Sequence, residues 1–434
     1  MLKAKQESET KTLFMRGKVE TVVWTERMLA ALISGVKGGT WFSLCDKVRR
    51  SGTLERAWEL VSKNKGAGGV DGVTIERFKG MKDKCLNELA EALENGSYKP
   101  EAVRRVYIPK GDGTQRPLGI PCVKDRIVQA AVKMTLEPIF EKEFLPMSYG
   151  FRPGIGAKDA LREVVQLLEG GSVWVVDADI QKYFDSIPKD KLMERVRKRI
   201  ADGKILNLVQ AFLDQAIMED CKSWTPDKGT PAGAVLSPLL ANIYLHDLDV
   251  LMTSKGYRMV RYADDFVTLC NTEEEANRAL LEIKQWMEEN GLVLHPDKTR
   301  MGNCTIEGEG FEFLGYRFEC GKRTVRKTSM KKMRDTIRRR TKRTCGQSIE
   351  QVIESLNPTL RGWFGYFKHA HKQTFQTVDG FVRRRLRAIL RKQDKRPGMG
   401  RCLKDHMQWR NSYFATRGLF TMKEAHAELA SRSR

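Results

Sequence analysis

Hydrophobic positions along the chain change their period three times. Around Val22 to Ile33 there is only a mildly amphipathic stretch, and the structure of residues 1–50 stays open, an N-terminal extension of no stated fold. From Thr53 the segment TLERAWELVSKNKGAGGVDGVTIERF has helical spacing interrupted by a glycine loop, Gly66 to Gly69, with Thr74 placed to open a second helix. Such a loop suits close approach to a ligand, or is simply a turn. Residues 101–320 then alternate short apolar runs (VRRVYIP, SVWVVDADI, MVRYADDFVTL, FEFLGYRF) with helical stretches, which predicts an α+β fold.

After Phe318 the pattern is charged. Lys322 to Arg343 carries twelve Lys or Arg against the single acid Asp335, so a domain boundary is expected near residue 320. Beyond it, Ser348 with Gln351 forms a capping-box start, and Pro358 is expected to interrupt the helix. Trp363, Phe364, Phe367 and Phe381 fall at helical core spacing. Arg383, Arg384, Arg385, Arg387, Arg391 and Lys392 surround an apolar stripe of Leu386, Ile389 and Leu390, predicting a helix that packs on one face and meets phosphate on the other.

Composition sharpens this. Of 434 residues, 77 are Lys or Arg and 55 Asp or Glu, a net charge of +22, which points to a polyanionic partner without naming a reaction. No apolar run of about 18 residues occurs and the start MLKAKQESETK has no apolar signal core, so a cytoplasmic chain without membrane contact is expected. Nine scattered cysteines without a C-x-x-C pair argue against a zinc site or a disulfide framework.

The sharpest candidate chemistry is Tyr262-Ala263-Asp264-Asp265, two adjacent carboxylates between apolar strands. In a continuous strand the two acids would point to opposite faces, so a shared ligand requires a hairpin bend at or near them. Val175-Val176-Asp177-Ala178-Asp179-Ile180 places two more acids on one strand face. Converging carboxylates suit magnesium and two-metal phosphoryl chemistry, but aspartates are also ordinary turn residues, and either pair alone leaves both readings open.

The order of further motifs resembles that of group II intron reverse transcriptases over roughly Thr53 to the C-terminus. The matching segments are NKGAGGVDG, YIPKGDGTQRPLGIP, YGFRPGIGAKDA, VDADIQKYFDSIP, GTPAGAVLSPLLANIYLHDLD, RYADDF, GLVLHPDKTR, FEFLGYRF, LRGWFGYFKHA and DGFVRRRLR. The resemblance implies a right-hand polymerase, with fingers and palm over residues 51–320 and a helical thumb and maturase domain over 321–396. Asp179, Asp264 and Asp265 would carry two Mg2+ ions (Mn2+ as a substitute), with the Ile180 carbonyl as a further ligand and Asp177 structural. Lys110 and Arg116 match the pair that clamps the incoming triphosphate, and Phe184 the aromatic that rejects a ribose 2′-hydroxyl. Ala232 and Gly233 lie along the same pocket, where Ala232 departs from the Gln usual in the family and removes a polar contact. Lys298 would sit near the active site, and Phe313, Leu314, Gly315 and Tyr316 would grip the primer end.

Of the basic groups, Lys331, Lys332, Arg338, Arg383, Arg384, Arg385 and Arg387 are assigned to nucleic acid, and the helix-period aromatics to the core. Residues 397–434, with Trp409, Arg410, Tyr413 and Arg417, resemble a short basic segment able to touch DNA, and with no His-Asn-His arrangement in it an endonuclease-lacking type is expected. The implied partners are an RNA template with its primer, deoxynucleoside triphosphates, the intron RNA and target DNA, serving splicing and mobility. Two other readings stay open on sequence: a domesticated relative working in DNA repair or phage defence, and a non-catalytic RNA-binding splicing factor.

Overall fold

The computed structural model describes residues 19–109, 113–219, 222–231, 233–344, 346–400 and 402–432. The chain forms two compact units, Met1–Met301 and Gly302–Arg434, each mixing helices with small sheets. The α+β expectation therefore holds.

In the first unit, one four-stranded sheet has the order β2-β1-β4-β5. Here β1 (Val103–Pro109) and β2 (Gln115–Ile120) make an antiparallel hairpin, β4 (Ile217–Glu219) runs parallel to β1, and β5 (Lys222–Trp224) closes the edge. A second sheet has the order β6-β7-β3-β8, from β3 (Trp174–Asp179), β6 (Arg258–Tyr262), β7 (Asp265–Cys270) and β8 (Arg300–Asn303). Every residue of β7 after Asp265 is buried, which is why FVTLC is apolar at every position but Thr268 and does not alternate. Helix Val123–Glu141 runs through the core with most of its residues buried.

Residues 19–50, left open on sequence, are part of this core. Val23, Trp24, Leu29, Leu32, Leu44 and Val48 are buried, and the Trp24 indole donates to the Met134 carbonyl (3.1 Å) on the central helix. The glycine loop packs against the chain itself, since a Cβ on Gly69 would lie 2.6 Å from Cys122 Cα. Thr74 caps the second helix by accepting from the Arg77 amide.

The second unit begins at Gly302, earlier than the expected boundary near 320. The reason is packing: β9 (Phe311–Phe313), β10 (Tyr316–Glu319) and β11 (Lys322–Val325) form one sheet that pairs across residue 320. Tyr316 lies against Tyr366 and Phe367 of helix Ile349–Phe367, and its hydroxyl donates to the Tyr366 carbonyl. The rise in charge after 320 marks a surface, not the edge of a packing unit.

Helix Ile349–Phe367 runs through Pro358 without ending, contrary to the expected interruption, because its buried face (Val352, Ile353, Leu356, Leu360, Phe364) holds it on both sides of the missing N–H. Its start is the expected reciprocal cap between Ser348 and Gln351. The segment after 397 is likewise no loose tail. Trp409, Phe414 and Met422 are buried, and Asp379 on helix Lys372–Gln393 accepts from the Met422 and Lys423 amides.

Asp125 on the central helix is fully buried and accepts from the Tyr98 hydroxyl (2.7 Å) and the Glu101 amide (3.0 Å). Burial pushes its carboxyl up from 3.8 to about 6. The folded state thus holds this proton more tightly than the unfolded chain does, so Asp125 makes stability fall as pH rises from about 4 to about 6 and adds no further slope above that. Urea unfolding across this range should show Asp125→Asn gaining on the native chain by roughly 1–3 kcal/mol from the acid to the neutral end. Parallel pH curves for the two proteins would contradict the assignment.

Candidate active site

Strand register gathers the acids. Asp179 at the end of β3 pairs with Asp265 at the start of β7, and Asp265 also pairs with Tyr262 of β6. Directly opposed residues in an antiparallel pair have Cβ atoms about 5 Å apart. Ala263 and Asp264 are then the two residues of the β6–β7 turn, which puts the third acid at the bend, as the adjacent carboxylates required. Asp177 pairs with Val267, farther along the strand.

The turn is strained, because Ala263 has φ +61°, a region that tight hairpins need but that side chains other than glycine's disfavour. It is held by Arg261, whose side chain is fully buried. Arg261 Nε donates to Asp249 Oδ1 (2.7 Å) and Nη2 to the other Asp249 oxygen, an ion pair with no exposed side-chain surface on either partner. Its remaining donors reach Ser148 Oγ (2.8 Å), Asn242 Oδ1 (3.0 Å) and the Ala263 carbonyl itself (3.0 Å). Asn242 also donates to the Gly150 carbonyl (2.8 Å), and a Cβ on Gly150 would fall 2.2 Å from Ala263 N, so the 148–150 loop presses on the turn from outside. Sequence reading missed Arg261 and Asp249. The one cue was an arginine inside an otherwise apolar strand, MVRYADDFVTL.

Electrostatics show the acids are neighbours. Burial raises the Asp264 carboxyl, repulsion from Asp179 adds to this, and Arg116 and Lys298 oppose it. Lys298 Nζ lies 2.8 Å from Asp179 Oδ2. Among the described residues no three metal-type side chains stand close enough together to chelate an ion. The chemistry nevertheless fits a hard divalent cation: three carboxylates on adjoining strand ends, one already drawing a cation. Ile180 adds to this. The Gln181 amide donates to Val293 and the His295 amide to the Asp179 carbonyl on either side of the Ile180–Leu294 bridge, so Ile180 turns its own carbonyl away from Leu294, toward the β7 side.

Around the acids, Arg116 is exposed on β2, opposite Ile108. Lys110 and Ala232 lie outside the described residues. Gly233 has φ +107°, and a Cβ there would meet the Gly119 carbonyl at 2.5 Å, so this loop lies directly on β2 and only glycine fits. Phe184 is partly buried beside Tyr183, and its carbonyl accepts from the Thr230 amide (2.7 Å).

In the second unit, Phe313 and Tyr316 are buried side chains of the sheet, which leaves the turn residues Leu314 (φ +48°) and Gly315 (φ +86°) nearer the surface. Lys331, Lys332 and Arg338 are exposed as expected. Two assigned contacts need correction. Arg387 is only 2% exposed and donates to the Trp409 carbonyl and Asn411, while Arg385 donates to the Thr341 hydroxyl and carbonyl; both brace the fold. Between helices Lys327–Arg340 and Lys372–Gln393 lies a notch of about 330 Å³ lined by Arg334, Arg338, Thr377, Gly380, Phe381 and Arg384. Among the described residues no helix is long and apolar enough to cross a membrane.

Comparison with known proteins assigns two segments of the chain to known families. Residues 108–318 match the family described as reverse transcriptase (RNA-dependent DNA polymerase), and residues 330–409 match the group II intron maturase-specific domain. Protein YkfC of Escherichia coli is 33% identical over 61% of this chain and 79% of its own length. The group II intron-encoded protein LtrA of Lactococcus lactis is 35% identical over 49% of this chain and 35% of its own, so the chain spans about a third of that relative. Nuclear intron maturase 2, mitochondrial, of Arabidopsis thaliana is 26% identical over 41% of this chain and 29% of its own. With the acid-bearing hairpin inside the first matched segment and the basic helices inside the second, the chain belongs to the group II intron reverse transcriptase/maturase family of RNA-directed DNA polymerases.

Proposed function

We propose that the chain extends a primer on an RNA template by magnesium-dependent nucleotidyl transfer at Asp179, Asp264 and Asp265. The observation that carries this reading is the register placing Asp179 opposite Asp265, with Asp264 in a braced turn between strands. The three carboxylates and the Ile180 carbonyl would hold two Mg2+ ions, which when bound activate the primer hydroxyl and neutralise the leaving pyrophosphate. Arg116, beside Asp264 in charge terms, supports a role in holding the incoming triphosphate, with Lys110 as its partner on the same hairpin. Phe184 would exclude the 2′-hydroxyl, so deoxynucleotides are the substrate. Gly233 keeps the pocket wall close to β2, while Ala232 leaves out the polar contact a Gln would give. Lys298 supplies Asp179 with a counter-charge.

The second unit would bind the template-primer and the intron RNA through the exposed cations Lys331, Lys332 and Arg338 and the half-buried Arg383 and Arg384, and through the Leu314–Gly315 turn. An active polymerase is favoured over a splicing factor without catalysis, because a strained turn persists only where its surroundings enforce it, and here a fully buried ion pair does so. The intron RNA and target DNA follow from the family and the charge, and Mn2+ is expected to replace Mg2+.

Primer extension on an RNA template should disappear in Asp264→Ala, while template-primer affinity stays within about threefold, because the substitution removes a metal ligand and no phosphate contact. Extension by the variant, or a large loss of affinity, would refute the assignment. For the second unit, Gly380→Leu should weaken binding to an RNA duplex about tenfold with net charge unchanged, by filling the arginine-lined notch. The position can take a side chain, since a Cβ there has nothing within 4 Å and leucine favours the helix. Arg334→Gln with Arg384→Gln should instead flatten the salt dependence by about one log unit per lost phosphate contact. Unaltered affinity in the first variant and unaltered slope in the second would make this face merely solvated.

A further inference from the structure

Phe151 is an aromatic residue that the reaction as described so far does not use, and its placement is unusual in three respects. The residue is 46% exposed, its φ is +59°, and in the first unit it touches both the aromatic at the sugar position and the residue that enters the acid-bearing turn. A bulky side chain in the left-handed region is a true outlier, which points from strain toward function.

The backbone at 151 is clamped from both sides. On one side, Asn242 donates to the Gly150 carbonyl, and the Tyr149 amide donates to the Arg261 carbonyl (2.8 Å). On the other, Arg152 is buried in an ion pair with Glu141 (side chains 6% and 4% exposed) and donates to the carbonyls of Leu145 (2.7 Å) and Ser148 (2.6 Å). None of these bonds involves the Phe151 ring, yet together they deliver it to one place. There its centroid lies 6.5 Å from that of Phe184 in an edge arrangement at 77°, and 6.4 Å from that of Tyr262, the residue that enters the Ala263-Asp264 turn. Phe184 also packs against Tyr183 (5.6 Å) and the hydrophobic core. Phe151 adds a half-exposed aromatic contact to that packing.

We propose that Phe151 is a specificity-determining residue for the sugar of the incoming nucleotide: a positioning residue that keeps the Phe184 ring against the 2′ position. This rests on reading Phe184 as the sugar gate. A gate excludes a hydroxyl only if it cannot swing aside, and an edge-on aromatic neighbour whose own backbone is clamped is a fixed stop. The contact with Tyr262 ties that stop to the strand that delivers the acids, so sugar and metal chemistry share one frame.

The test is the ratio of kcat/KM for deoxynucleotides to that for ribonucleotides in primer extension by the full chain with Mg2+, for the native protein, Phe184→Ala, Phe151→Gly and Phe151→Tyr. Glycine suits φ +59° and the ring is half exposed, so Phe151→Gly should melt within a few degrees of the native protein. The expectation is that Phe151→Gly loses about three- to tenfold in discrimination, the size of an aromatic edge contact, through a fall in ribonucleotide KM with deoxynucleotide kcat within about twofold. Phe151→Tyr keeps the ring edge and should retain native discrimination. If Phe184→Ala relaxes discrimination and Phe151→Gly does not, the inference is overturned while the gate stands. If Phe184→Ala leaves discrimination intact, the gate falls and the inference with it. A parallel loss for both sugars in Phe151→Gly, with no change in their ratio, also overturns it.

Discussion

A buried ion pair between Arg261 and Asp249 sets the geometry of the turn that carries the candidate catalytic acids. Asp179 and Asp265 sit opposite each other with Cβ atoms about 5 Å apart, close enough for their carboxylates to repel, and the turn that leads into Asp265 carries a left-handed alanine whose strain is on the order of 1–3 kcal/mol. The Arg261 fork is bonded at once to Asp249, Asn242, Ser148 and the Ala263 carbonyl, and because loss of either charge would leave the other buried and unpaired, at a cost of about 3–5 kcal/mol, the fork stays in this one arrangement against the turn. The same Asn242 fixes Gly150, and through it the loop that carries Phe151. One guanidinium thus coordinates the acid turn with the aromatic wall beside it.

The positive charge of the chain divides into two uses that sequence alone does not separate. Arg152, Arg261 and Arg387 are buried and bonded, and hold loops and helix ends in place. Lys331, Lys332 and Arg338 are exposed, with Arg338 paired to Asp335 one turn earlier on the same helix. Burial, with repulsion from Arg338, Arg384 and Arg343 added to it, lowers the pKa of Arg385, which marks this part of the second unit as a concentration of positive charge, offset at Arg338 by its ion pair with Asp335. Such a face gains stability from a polyanion and binds it in a salt-dependent way.

Much of this was legible in the sequence. The apolar runs around VVDAD and YADDF fixed the strands, and adjacency of Asp264 and Asp265 required the bend that register provides. The Ser348 and Gln351 cap and the Thr74 cap were readable because capping is local. What was not legible depends on long-range contacts. Asp249 lies twelve residues before Arg261, on a helix otherwise read only as a family motif, and nothing local announces the pair. Phe311 to Phe318 looked like the last strands of the first unit, but their aromatic face packs on Tyr366 and Phe367. Arg385 and Arg387 sit in a run of identical residues, and only the helical phase against residues 341 and 409–411 separates braces from contacts. Lys110 and Ala232 fall outside the described residues, so the clamp and the missing Gln rest on sequence.

The central claim is that the Arg261–Asp249 pair organises the acids proposed to bind metal and does more than stabilise the fold. Its most direct test is calorimetric titration of Mn2+ into the native chain and into Arg261→Met with Asp249→Leu, a pair that removes both charges while keeping the site apolar and filled, so that folding is preserved. The account predicts a cooperative melt near that of the native protein with metal affinity lower by about tenfold or more, the scale on which supporting-shell substitutions act. A doubly substituted chain that melts normally and binds Mn2+ as tightly as the native protein would contradict it.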